Sequence, residues 1–469
     1  MKNILLTAFL LSWVLAGNLH AQVNEPMISG DTSLTAHSVL PIDGIIEYLP
    51  KDTLYIPDHI KSSNDKIRFT PLVNFFFRPE GTSDYKEAGM PIDTGHLNFY
   101  LRGGFGGKLS LPKNIDMVFN LQSYGTYTRS LGPLDPNVSL YEAYVDMKKL
   151  DKNDKMSLRF GRMCLGKYGT EILVGDDDFT KGRSFESIRF RYKTSHSTSD
   201  LMWVQLYQQA PSSANFAWNH PILLASMNTY HLSAAVNFDA NIPFIIDQYN
   251  SGFRTSVFMP DLRFFGQASS IRYSAEVIVQ TGSAKGILDE SITGSVSGSA
   301  TEFSIGYISK HQKLTVDLTY YRASGDENPL DSDLKSYNVL WQNEHRRFGY
   351  IDAFKGSNVQ ASTLHVDWKI GRLVSTGIHW VVASVLEPED RSTGIATIPS
   401  LDSIANTNNS IGEGGDWYLN YYYSHNLNFQ LSASAFRVGE YFNEVTNHEI
   451  GDGVDQIMMR LYLMMAFRL

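Results

Sequence analysis

One cysteine, Cys164, stands in a chain of 469 residues. A lone thiol makes neither a disulfide framework nor a cysteine-rich metal set. The 13 histidines are scattered without a His-x-x-x-His or similar spacing, so a zinc enzyme finds no support. No Gly-x-Ser-x-Gly elbow and no phosphate-cradling Walker loop occur. These absences leave no catalytic residue, no metal and no cofactor to assign. The formal net charge of −9 has the wrong sign for a nucleic-acid partner. Beyond the N-terminal segment no stretch reaches the roughly 18 consecutive apolar residues of a membrane-spanning helix. No Pro/Ser-rich linker divides the chain, although a soluble protein of this length would hold about three domains of roughly 150 residues.

At the N-terminus, Met1-Lys2-Asn3 precedes an apolar run from Ile4 to Ala16, and Ala21 supplies a small residue for cleavage. These features read as a secretory signal peptide over 1–21. The run is short of the about 20 residues a helical span needs, and no cysteine near the cut suggests a lipoprotein. Residues 22–60 show little alternation and read as a periplasmic lead-in. Residues 61–469 read as one β-barrel, exported and placed in the outer membrane of a Gram-negative cell.

The chain carries 25 Tyr, 26 Phe and 7 Trp, yet its mean hydropathy is only −0.21. A transmembrane barrel reconciles these facts, because it needs apolar residues only at alternate positions and sets aromatics at both interfaces. Period-2 alternation runs from end to end. Leu97, Phe99 and Leu101 alternate with Asn98, Tyr100 and Arg102. Ile188, Phe190 and Tyr192 alternate with Arg189, Arg191 and Lys193, and Leu364, Val366 and Trp368 with His365, Asp367 and Lys369. A soluble sandwich alternates as well, so this pattern alone leaves two architectures open. The tail favours the barrel: from Met459 to Leu469 every odd position is apolar, as expected of a last strand that closes against the first.

Connection lengths point the same way. Short connections fall at 111–114, 150–154, 194–200, 309–313, 371–372 and 425–426. Long ones fall near 79–93, 126–138, 164–184, 324–357, 385–414 and 439–455. Alternating short periplasmic turns and long extracellular loops is up-and-down barrel topology. Seven strands precede residue 211 and seven follow residue 299, with an even number between them. The expected fold is therefore an all-β, antiparallel transmembrane barrel of 18 or 16 strands.

At residues 139–193 a set of short motifs occurs in order. Ser139-Leu140-Tyr141-Glu142-Ala143-Tyr144-Val145-Asp146 is followed by Leu158-Arg159-Phe160-Gly161-Arg162 and Gly166-Lys167-Tyr168-Gly169. Gly182-Arg183-Ser184-Phe185-Glu186-Ser187-Ile188-Arg189 comes next. Further patches are Tyr321-Arg322-Ala323-Ser324-Gly325-Asp326 and Gly414-Gly415-Asp416-Trp417. This ordered set resembles the alginate export family of outer-membrane porins. Met163 stands where members often have Gln, and Glu186 where they often have Asp. The resemblance implies an 18-stranded monomeric barrel with a constricted, arginine-rich lumen. It also implies passage of an anionic uronic-acid polymer or of smaller anionic solutes.

Passing an anion selectively requires fixed positive charge on the wetted inner face. Arginine suits carboxylates because its planar fork donates two parallel hydrogen bonds and stays charged. Parity turns Arg102, Arg159, Arg189, Arg191 and Lys193 inward. Arg162 and Arg183 flank the segment 164–184, which can fold into the lumen as a constriction. The inward carboxylates Glu142 and Asp146 are placed to pair with these arginines, so that a bound anion is also released. These nine residues form the expected pore lining. The blander reading is that the same arginines pair with carboxylates and merely stiffen the barrel.

Arg437 shares the parity of the lipid side. His345-Arg346-Arg347 reads as an exposed loop charge run that greets anions at the extracellular mouth, bridges lipid A phosphates or does neither, and Asp176-Asp177-Asp178 as an unliganded acidic surface loop, with calcium held by these carboxylates and loop carbonyls as the alternative. The expected partners are an anionic saccharide or small anionic solute and outer-membrane lipid. Competing readings are a general diffusion porin, a barrel enzyme acting on lipids and a soluble secreted β-protein acting on glycans.

Overall fold

The computed structural model of the protein describes residues 60–61, 67–83, 97–128, 137–175, 182–206, 221–233, 235–250, 253–285, 293–309, 311, 313–390, 392, 408–450 and 457–468. The expected signal peptide, nearly all of the lead-in and the acidic run at 176–178 lie outside the described residues.

Twenty hydrogen-bonded segments form a single sheet. Two of them, Phe253–Phe258 and Asp261–Ala268, are halves of one strand, since both pair with the strand before and the strand after. Ile60–Lys61 is a two-residue addition at the foot of the first long strand. The remaining strands make eighteen: β1 Arg68–Ser83, β2 Leu97–Leu111, β3 Ile115–Thr128, β4 Asn137–Met147, β5 Met156–Met163, β6 Phe185–Lys193, β7 Ser197–Gln205, β8 Ile222–His231, β9 Asn237–Asn250, the interrupted β10, β11 Ile271–Lys285, β12 Thr293–Ile308, β13 Leu314–Ala323, β14 Val359–Lys369, β15 Val374–Val385, β16 Ser410–Tyr422, β17 Leu427–Val438 and β18 Ile457–Arg468. Each pairs antiparallel with its sequence neighbour. The first and last strands also pair, from Asn74↔Arg468 to Ser83↔Met459. Closure removes both sheet edges, which a membrane requires because lipid cannot bond to free N–H and C=O groups. Four strands occupy 222–285, which fixes the count at eighteen rather than sixteen. The break in β10 falls at Met259-Pro260, where proline has no N–H to give the ladder.

The two ends differ as a barrel in a membrane requires. At one end the connections are tight. Lys113 and Asn114 turn between β2 and β3 with φ of 63° and 61°, the left-handed geometry of a two-residue hairpin turn. The turn between β6 and β7 is 194–196, shorter than the 194–200 expected from sequence. The other end carries the long segments 164–184, 324–358 and 386–409, although β9 and β10 there are joined by two residues only. Short turns mark the periplasmic side.

Side chains sort by parity. Phe105, Phe119, Phe160, Ile188, Leu262, Ile305, Leu318, Ile378 and Leu461 are exposed on the outer face. Their neighbours Asn120, Asp146, Asp200, Asp239, Glu276, Asp317, His379, Asp416 and Arg460 are buried on the inner one. A soluble core would reverse this arrangement, so the outer face is the one built for hydrocarbon.

The lumen is not an empty tube. At its loop end a large apolar cluster joins Ile172, Leu173 and Val174 with Trp341, Phe348, Ile351 and Phe354 from the two long inward segments. Wall residues from β6 to β18 complete it, among them Val204, Leu223, Ile278, Val296, Val381 and Met458. No residue of β1 to β5 belongs to this cluster. This main cluster therefore touches β6 to β18, while Tyr350 of the second inward segment joins a smaller cluster with Phe76 of β1, against which Tyr100 of β2 packs.

The seam between β18 and β1 is closed by ions. The Arg460 guanidinium lies 2.9 Å from Glu80 on β1 and 2.9 Å from Asp352 of the inward segment, all three nearly inaccessible. Arg78 lies 3.2 Å from the same Glu80 and stacks 4.2 Å from the Tyr100 ring. Removing one partner of a buried pair strands the other charges and costs about 3–5 kcal/mol. Arg460→Ala is therefore expected to lower the urea midpoint of the folded barrel sharply, read from heat-modifiable mobility on gels. A midpoint equal to wild type would show that the seam does not depend on this group.

Candidate functional site

Three arginines stand together on the inner face of the adjacent strands β5 and β6. Arg159 on β5 stands directly opposite Arg189 on β6, and opposite Asp146 on β4. Its Nη2 donates to the Asp146 carboxylate at 2.7 Å, and its guanidinium lies 4.3 Å from the Tyr144 ring. Two residues along β6, Arg191 grips Asp200 of β7 through both Nε and Nη2, at 2.6 and 2.7 Å. Arg189 lies between these two pairs, half-buried on the same face, and none of the described ion pairs includes it. Like charges directly opposite on a sheet destabilise it. Arg159 is compensated by Asp146, whereas no described ion pair compensates Arg189.

The remaining expected residues are distributed as follows. Arg102 is buried on the inner face of β2, 5.2 Å from the Phe76 ring. Glu142 is on the inner face of β4 and accepts hydrogen bonds from Asn120 and the Cys164 backbone. Lys193 is exposed at the short-turn end of β6. Arg183 lies half-buried where the long segment returns to β6, with one terminal nitrogen that meets no hydrogen-bond partner among the described residues. Arg162 departs from the expectation. It bonds Glu186, directly opposite in the ladder, and both share the parity of the exposed Phe160 and Ile188. The structure thus brings Arg159, Arg189 and Arg191 together and leaves Arg162 with its own carboxylate. Gly161, at φ +121° with the Ala143 carbonyl 2.3 Å from where a Cβ would stand, allows this tight join of β4 and β5.

Two loops reach into the lumen and hold each other. Tyr168 donates to Asp200 at 2.8 Å, so one carboxylate ties both the loop and Arg191 to the wall. Further on, the Thr170 N–H donates to Glu276 of β11 at 2.6 Å. The second loop contains the helix α1, Glu344–Phe348. From it Arg347 donates to Glu302 of β12 at 2.5 Å and to the Thr170 carbonyl and hydroxyl. Gly175 N–H bonds Trp341 O at 2.7 Å, and Tyr337 bonds Ile172 O at 2.9 Å.

In the run His345-Arg346-Arg347, expected to be exposed, the first and last residues point inward instead. Arg347 is buried against Glu302, and His345 lies 2.7 Å from Asp352, because the loop turns inward. Burial raises the Asp352 carboxyl, but His345 and Arg460 beside it outweigh burial and keep it below the ordinary carboxylate range. Arg437 is exposed, as its parity required, and pairs with Glu413.

Sequence reasoning missed Asp200, Glu276, Glu302, Arg347 and Arg460 as structural anchors of this site. For Arg460 the signal was present, since its even position in the last strand is the inward one.

A closed eighteen-stranded barrel, greasy outside, charged within and narrowed by its own loops, defines an outer-membrane channel. The fold resembles solved barrels from Pseudomonas aeruginosa. OccK5 (OpdH) aligns with a TM-score of 0.53 at 10% identity, covering 85% of this chain and 98% of that one. OccK2 (OpdF), solved in complex with glucuronate, aligns at 0.55 and 10%, covering 86% and 98%. OpdK, solved with vanillate, aligns at 0.53 and 10%, covering 85% and 98%. No curated protein matches the chain by sequence. The family model for alginate export matches residues 129–452, and the chain belongs to that family.

Proposed function

We propose that this protein is a passive, anion-selective channel. It passes a polyuronate, alginate-like polymer or smaller anionic solutes along the arginine-lined wall of β2 to β6. The observation that carries this reading is the Arg159–Arg189–Arg191 group, in which Arg189 forms no ion pair among the described residues. The apolar plug supports it, since its main buried cluster takes nothing from β3 to β5 and a hydrated solute would follow the polar wall. The fold shared with OccK2, solved with glucuronate, is compatible with a uronate as solute. Arg102 at one height and Lys193 at the periplasmic end extend the positive charge along the path. The carboxylates of Asp146 and Asp200 keep the wall from binding an anion too tightly to release it.

The test is conductance of the purified protein in planar bilayers under a salt gradient. The reversal potential is expected on the anion side, and added glucuronate should block chloride current. A cation-side reversal potential would overturn the reading in favour of a different conducted species. A potential near zero would favour general diffusion.

A further inference from the structure

The chain is acidic overall, with a net charge of −9, yet its periplasmic turns next to the arginine wall are not. Residues 108–116, 148–155 and 193 carry seven lysines, Lys108, Lys113, Lys148, Lys149, Lys152, Lys155 and Lys193, against Asp116, Asp151 and Asp154. The turns form one rim. Lys148 N–H bonds Asn114 O at 2.9 Å, and Lys193 N–H bonds Lys155 O at 2.8 Å. Two of the carboxylates are engaged by lysines already: Asp116 by Lys108 and Lys148, and Asp154 by Lys149. The third, Asp151, accepts the backbone N–H groups of Asn153, Lys155 and Met156, which folds the turn around it. Lys113, Lys152, Lys155 and Lys193 have no ion pair among the described residues. Lys113 and Lys149 also adopt φ of 63° and 57°, backbone that glycine or asparagine adopts more readily. Lysine at such positions is not explained by turn geometry.

We infer that this rim is a capture site for a polyanion arriving from the periplasm, which it delivers to Arg191 and Arg189 directly above Lys193. The inference rests on the proposed function and adds a side and a point of entry to it. Inward parity aims Lys108 and Lys193 at the mouth of the lumen rather than at lipid. The arc from β2 to β6 spans four interstrand spacings of about 4.8 Å, roughly 19 Å. A single small anion bridges two neighbouring charges, whereas a chain of repeated carboxylates can follow the whole arc. Several like charges around a mouth raise the capture rate of an opposite charge by roughly 10–1,000-fold at low salt.

The test is single-channel block by polyglutamate and by an oligouronate, each added to one chamber at a time at several salt concentrations. The short-turn side is identified by streptavidin bound to a biotinylated Gly371→Cys in a Cys164→Ser background. A side chain at Gly371 meets nothing within 4 Å. Faster, salt-sensitive block is expected from the short-turn side. The triple variant K113Q/K152Q/K155Q, confined to turns, should slow that block about tenfold. It should leave block from the loop side and the small-anion reversal potential unchanged. An anion-preferring pore whose block ignores the three lysines overturns this inference alone. A pore with no anion preference overturns the proposed function as well.

Discussion

Arg189→Glu is expected to abolish anion preference or reverse it, the largest single-residue effect on permeation that the structure offers. The substitution changes the local charge by two units on the wetted side of β6, opposite Arg159. One unit charge about 5 Å from a permeating ion, at a dielectric between protein and water, is worth on the order of 1–3 kcal/mol. The permeability ratio should therefore move by at least about tenfold, since 1.4 kcal/mol is a factor of ten. A new carboxylate there would also pair with Arg159 and remove its residual charge from the path. Arg437→Glu is the matched control, because that group is exposed and bonded to Glu413 away from the inner wall. A folded Arg189→Glu barrel with the wild-type reversal potential would remove the arginine wall from the selectivity filter.

The second large effect is expected at the plug. Arg347→Ala leaves the Glu302 carboxylate buried without its partner and takes the donor from the Thr170 carbonyl. Stranding a buried charge costs about 3–5 kcal/mol, more than a loop held by a few hydrogen bonds can absorb in place. Both inward segments should loosen together, raising single-channel conductance severalfold and adding flicker. Arg347→Leu combined with Glu302→Leu removes both charges at once and should lie closer to wild type, because apolar replacement of a whole buried pair is often neutral. Equal conductance in wild type and Arg347→Ala would show that this pair does not set the width of the path.

The sequence made the barrel legible wherever one face of a strand meets lipid and the other meets water. That holds for β2, β3, β6 and β14, where alternate residues fall on opposite faces of the sheet. It fails where the plug fills the lumen. In β8 and β9, Leu223 and Leu224 or Ile245 and Ile246 are apolar on both faces, because one faces hydrocarbon and the other the apolar cluster. Alternation is lost there, and Met259-Pro260 cuts β10 in two. These are the reasons 226–282 left the strand number open. Arg162 shows a different limit. Membership of a motif beside Arg159 says nothing about which carboxylate lies across the ladder, and Glu186 is 24 residues away. Arg347 was read as exposed because a run of cations in a long loop normally is. Its partner Glu302 sits in another strand, 45 residues back.

The clasp between the two inward loops has a consequence for biogenesis. Arg347 and Thr170 are 177 residues apart, and Arg460 meets Glu80 across 380. The first tie needs the segment beyond β13 and the second needs the last strand, so neither exists until most of the chain has been made. An assembling molecule would therefore pass through a wide, unobstructed stage before its interior is furnished. Cells making it quickly should show a brief leak to bulky antibiotics that fades once synthesis stops.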